Sequence, residues 1–244
     1  MKRSLPILLA ALVASVVTSS ALASHSWNGY HWARTANPFT LKLGDNLTTA
    51  EWDSHLSQTA SDWSKSTVLD TTIVAGQARN RNCRPTAGRD EICNASYGNN
   101  GWLGVATIWL QSGTSHIVQG TVKVNDYYLG PSATYTYNNK AEREHVLCQE
   151  VGHTLGLDHQ STSGASLNTC MDYYHNTSDS DTKSTTPNQH DYDELATIYQ
   201  HLDSTTTVGA AALSPFGSYA TTSKFVAHLA GGARMVTYVT WAGF

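Results

Sequence analysis

Apolar and polar positions change period several times along the chain, and each change marks an element. "NPFTLKLGD" (37–45) alternates, as a half-buried strand does, and is predicted as the first strand. Trp52, His55, Leu56, Thr59 and Trp63 then recur at three- and four-residue intervals. That spacing predicts a helix over 48–66, opened by Thr48 or Thr49 with Glu51 nearby. "TVLDTTIVAG" (67–76) is a short β-branched strand, and the Gly-, Asn- and Pro-containing stretch 77–101 reads as one long loop. "WLGVATIWLQ" and "HIVQGTVKVND" flank Ser112-Gly113-Thr114-Ser115 and predict a hairpin. A second helix is predicted over 140–155, with Val146, Leu147, Val151 and Leu155 apolar and Gly156 placed to stop it. After a polar loop (160–188), Tyr192, Leu195, Ile198, Tyr199 and Leu202 predict a third helix over 189–203. Strands mixed with about three helices make the class α+β.

The two ends differ in texture from this middle. "MKRSLPILLAALVASVVTSSALA" has a basic start, a short apolar run and an Ala-x-Ala end, which predicts a signal peptide over 1–23. The main domain then runs over 24–203. Residues 204–244 are a Thr/Ala/Ser linker followed by two runs of β-formers around Gly231-Gly232, predicted as a C-terminal hairpin. No later segment is apolar enough for a membrane span, so a secreted protein, extracellular or periplasmic, is expected. Charged residues make up 14% and the net charge is −4, which leaves no basic stripe for nucleic acid. Four cysteines, Cys83, Cys93, Cys148 and Cys170, lack the C-x-x-C spacing of a thiolate zinc site and read as two disulfides. Three pairings are possible; Cys83–Cys93 would close a short polar loop. Asn46, Asn94 and Asn176 each open a glycosylation pattern.

Candidate chemistry is concentrated in "HVLCQEVGHTLGLDHQ" (145–160). On a helix, Gln149 and His153 leave the same face one turn apart, and Glu150 lies about 100° round from Gln149. Gly156 permits a sharp bend that returns His159 toward the same point. Two imidazoles and a third donor leave an open position on a zinc ion, and Glu150 beside it can act as a general base. His145 lies two turns from His153, about 12 Å along the axis, so it is read as supporting the far end of a cleft or as solvated. An E-x-x-H helix by itself is usually a polar face; Gly156 and His159 at their offsets raise the metal reading above that.

"QEVGHTLGLDH" (149–159), followed by "CMDY" (170–173), resembles the metzincin clan of zinc endopeptidases, and most nearly its matrixin branch. The resemblance implies a metzincin-like catalytic domain over 37–203, a twisted mixed sheet with an active-site helix and a methionine turn. It implies Zn²⁺ held by His153, His159 and Gln149, the last standing where the clan has histidine. Glu150 would be the general base and Met171 the hydrophobic floor. Tyr173 would be a metal ligand or transition-state donor, or else a core or rim tyrosine. A turn at Met171 beneath the helix would bring Cys170 to Cys148, and that pairing is expected. "GWLGVATIWL" resembles the edge strand that binds substrate in this clan; an interior strand is the alternative. Ca²⁺, which such domains often bind, has Asp179 and Asp181 as candidates, although a solvated loop fits them as well. No cysteine lies between the expected cleavage site and the first strand to act as a cysteine switch. The implied function is a secreted zinc-dependent metalloendopeptidase acting on proteins or peptides. The alternative is a secreted binding module that has lost zinc through Gln149.

Overall fold

The computed structural model describes residues 24–77, 81–210 and 224–242. The expected signal peptide, and the linker beyond residue 210, lie outside these. A two-residue strand, β1 (His31–Trp32), precedes β2 (Phe39–Asn46). In β2 the period of two is visible as burial: Phe39, Leu41 and Leu43 are buried, while Thr40 and Lys42 are exposed. Helix α1 (Ala50–Trp63) starts where Thr49 accepts a bond from the Trp52 amide, and it buries Trp52, His55, Leu56, Thr59 and Trp63. The chain continues through β3 (Leu69–Ala75), β4 (Asp90–Ala95), β5 (Trp102–Leu110), β6 (His116–Asn125) and a single turn, α2 (Asp126–Leu129). Helices α3 (Lys140–Thr154) and α4 (Gln189–Ile198) follow, then β7 (Lys224–His228) and β8 (Arg234–Trp241).

The eight strands form one mixed sheet in the order β3-β2-β4-β6-β5-β8-β7, with β1 paired to the start of β6. Strands β3, β2, β4 and β6 run parallel to one another; β5 is antiparallel to β6 and to β8. Helix α3 packs on β5, β6 and α1, burying Val146, Leu147, Val151 and Leu155. One tie crosses from α1: Trp63 Nε1 donates to Cys148 O at 3.1 Å. Disulfides join Cys83 to Cys93 and Cys148 to Cys170, each with its Cα atoms 5.9 Å apart. The second fastens α3 to the turn that carries Met171.

Several elements depart from the sequence pattern. Residues 77–101 are not one loop, because β4 lies within them between β2 and β6. Asp90 and Glu91 disguised it. Both are fully buried, Asp90 accepting from the Thr154 hydroxyl at 2.7 Å and Glu91 from Arg89 Nε at 2.8 Å. Helix α4 ends at Ile198 rather than at Asp203. Beyond it the Tyr199 carbonyl and the Asp203 carboxylate both accept from Arg34, which draws the chain out of helical geometry. Asn94 and Asn176 are buried, and their amides donate to Asp126 and to the Asp181 carbonyl, so neither is open to glycosylation in the folded protein. Strand β5 is not an edge strand. The C-terminal hairpin adds to it, pairing Gly104 through Leu110 with Thr240 through Arg234.

Gly156 ends α3 at φ 101°, and a Cβ there would lie 2.1 Å from the Tyr30 carbonyl oxygen. Both the backbone region and the close approach require glycine. Gly156→Ala is therefore expected to destabilise the fold by about 2 kcal/mol or more, read as a lower urea midpoint.

Candidate metal centre

The Asn139 side chain caps α3 by accepting from the Glu142 amide at 2.9 Å, and the helix then runs four turns to the Gly156 bend. Beneath the helix, Met171 sulfur approaches so closely at Gly152 that a Cβ there would meet it at 2.4 Å. His153 Nδ1 donates to the Leu157 carbonyl at 2.9 Å, which leaves Nε2 as its lone-pair nitrogen. The bend returns His159 so that its Nε2 stands 3.2 Å from His153 Nε2. Burial pushes the His153 pKa down to about 4, and burial with its neighbouring histidines holds His159 well below the usual range. Both imidazoles are neutral at pH 7, the form that ligates a metal.

Gln149 lies on the same face and its amide is fully engaged. Nε2 donates to the carbonyls of Cys170 (2.8 Å) and Asp172 (2.7 Å), while Oε1 accepts from the Thr240 hydroxyl at 2.6 Å. His145 is buried rather than solvated, with Nε2 3.0 Å from the Asp172 carbonyl. Glu150 is fully buried against Gly104 of β5. Neither carboxylate oxygen makes a hydrogen bond of ordinary geometry. Burial raises its pKa to about 8, against which the nearby Thr240 hydroxyl and the amides of Ala106 and Thr240 act only in part. Glu150 is thus a neutral acid at pH 7 in this closed arrangement.

The contacts missed from sequence come mainly from β8. The Tyr238 ring stacks on His153, centroids 4.1 Å apart and planes 6° from parallel, and meets His159 edge-on at 4.7 Å. Its hydroxyl donates to Asp158, whose carboxylate also takes Lys224 of β7 at 3.3 Å. Tyr173 places its ring 4.2 Å from His159 and its hydroxyl 3.3 Å from the Val239 carbonyl. Tail residues therefore touch Gln149, His153, His159 and Tyr173. An open cleft of about 490 Å³ remains beside His159, Tyr173, Tyr238 and Trp241. Nothing local in the sequence signals the contacts of β7 and β8, since they join segments more than sixty residues apart. The calcium candidates do not converge: Asp179 accepts from the Lys140 amide and Asp181 from the Tyr174 hydroxyl.

No family model matches the sequence, and no curated protein matches it. Solved structures similar to this chain include two of myroilysin. They are 13% and 12% identical, with TM-scores of 0.40 and 0.39. The alignments cover 72% and 69% of this chain, and 98% and 86% of theirs. A third is high choriolytic enzyme 1, a hatching-enzyme zinc-protease from Oryzias latipes (medaka fish), at 8% identity and TM-score 0.37. That alignment covers 71% of this chain and 96% of the other. Likeness at this level decides nothing about the site, whose reading rests on its own geometry.

An unfolded chain ionises Glu150 near 4.5, whereas the folded protein keeps its proton up to about 8. Between these values the folded state holds a proton that the unfolded state has lost. The contribution to stability is therefore full below pH 4.5 and lost as pH rises to about 8. In chelator, Glu150→Gln is expected to gain in melting temperature over the wild type progressively across that window. Asp90, pushed by burial to about 8, behaves alike in both proteins and cancels. A difference that does not change with pH would mean that Glu150 is solvated.

Proposed function

We propose that this chain is a secreted zinc metalloendopeptidase of the metzincin type whose own C-terminal hairpin closes its active site. One observation carries the reading: two neutral imidazoles present Nε2 atoms 3.2 Å apart, with an unbonded buried carboxyl on the same helix. That separation suits two ligands of one tetrahedral ion, and His153 is oriented by a carbonyl as metal-binding histidines are. Gln149 Oε1 is the third donor once Thr240 withdraws its hydroxyl. Zinc bound there would polarise a scissile carbonyl and acidify a water molecule.

The remaining roles belong to the protein. An extended peptide adds to a free sheet edge through backbone hydrogen bonds, and β5 offers that edge when β8 leaves it. Departure of β8 also lets water reach Glu150. Its pKa then falls toward the ordinary carboxylate range, and its carboxylate becomes able to take a proton from water and return it to the leaving amine. Met171 keeps the underside of the helix dry, and Tyr173, freed from Val239, can donate to the substrate oxygen.

A second reading, a binding module without zinc, is favoured by the complete hydrogen bonding of Gln149. Weakening the lid separates the two. Tyr238→Ala removes the ring stacked on His153, and peptidase activity on an unfolded protein substrate is expected to rise about tenfold or more, equal to about 1.4 kcal/mol of closure. Adding Glu150→Ala should abolish that activity while zinc stays bound. A Tyr238→Ala protein that binds no zinc and cuts nothing, unrescued by Gln149→His, would favour the binding module.

A further inference from the structure

Three histidines far apart in sequence meet at one carboxylate oxygen of Asp203. His116 Nε2 lies 3.2 Å from Asp203 Oδ1, and His31 Nε2 and His201 Nε2 each lie 3.7 Å from it. The His31 and His201 Nε2 atoms are themselves 3.2 Å apart. Ligand bonds of about 2.0–2.1 Å in a zinc tetrahedron place neighbouring donors roughly 3.3–3.4 Å apart, so the spacing of His31, His201 and Asp203 is close to that of a ligand set. The donors of His31, His201 and Asp203 all fall within 4.8 Å of one another.

Bonds around the cluster aim these atoms inward. His31 Nδ1 donates to the Gly29 carbonyl at 2.7 Å. A neutral imidazole has a single proton to give, so Nε2 faces the cluster with its lone pair. Asp203 Oδ2 accepts from Arg34 Nη1 at 2.9 Å and from the Arg34 amide at 3.2 Å, which leaves Oδ1 for the histidines. Arg34 is buried, and its guanidinium also donates to the carbonyls of Tyr199 and His201. A lone pair turned toward an anionic oxygen is unfavourable, and a cation between them removes the conflict.

We propose that His31, His201 and Asp203 form a second metal site that takes zinc or a similar divalent transition ion, with His116 steadying the Asp203 carboxylate from outside the donor group. Imidazole and carboxylate are ligands of that class. Its three donors come from segments apart from the α3 cleft and its catalytic groups, so the site is read as structural. It ties β1, the start of β6 and the segment after α4. Tyr30, beside His31, presents its carbonyl to Gly156, so an ion that fixes β1 also steadies the bend returning His159. The inference does not depend on the peptidase reading.

The competing account joins the same atoms by protons alone, His201 donating to His31 and His116 to Asp203. Zinc titration of the chelator-stripped full chain separates the two, read by metal content and melting temperature. His153→Ala disables the α3 site, and a single zinc per chain is expected to remain. Adding His201→Ala should weaken that zinc by more than the roughly 100-fold that loss of a supporting contact costs. The His201 side chain is 49% exposed, so the metal-free melting temperature should not change. His116→Ala, which removes a supporting contact, should weaken the zinc by no more than about 100-fold, and cobalt in place of zinc should show visible bands of a tetrahedral site that vanish with His201→Ala. Should His153→Ala fail to fold, the comparison moves to the wild-type background, where His201→Ala should lower zinc content by one equivalent. Zinc content unchanged by His201→Ala, or no zinc left in folded His153→Ala, would overturn the proposal in favour of a hydrogen-bonded cluster.

Discussion

The backbone ladder between β5 and β8 is the contact on which the state of this molecule depends. A sheet edge presents a row of N–H and C=O groups that must find partners in water or in another strand. Here the outer edge of β5, which lies along α3, is satisfied by the chain's own tail. Once that pairing is fixed, side chains of β8 fall on the α3 face by register. Tyr238 reaches His153 and His159, Thr240 reaches Gln149, and the Val239 carbonyl meets Tyr173.

Covering the face also sets its charge. Removing Glu150 from water favours its protonated form, and removing His153 and His159 favours their neutral forms. Glu150, His153 and His159 are therefore all uncharged at neutral pH in the closed arrangement. Opening would reverse this for Glu150, because burial is the leading cause of its shift and its ordinary value, 4.5, lies well below neutral pH. Exposure and basicity are thus linked in one residue by the same strand.

The two histidine clusters show how differently such sites enter a sequence. In each, two Nε2 atoms stand 3.2 Å apart and one ring is oriented by a backbone carbonyl. His153 and His159 are joined by a helix end and a bend, so their meeting could be read from spacing and a glycine. His31, His116 and His201 belong to three separate segments, and no spacing rule connects them. They converge because β1 pairs with the start of β6 and because Arg34 pulls in the segment after α4.

By itself, the sequence determined what local periodicity and local chemistry control: the amphipathic helices, the alternating strands, the stop at Gly156, and the set Gln149, Glu150, His153 and His159 on one turn and bend. These rest on contacts within a few residues, where backbone geometry leaves few choices. Strand β4 escaped because Asp90 and Glu91 look like loop residues until Thr154 and Asn46, distant in the chain, and the neighbouring Arg89 satisfy them in the interior. Tertiary structure alone decided that β5 is interior, that β8 lies across the α3 face, and that three remote histidines share one aspartate. Those outcomes depend on long-range pairing, which is fixed by how all the strands are satisfied together.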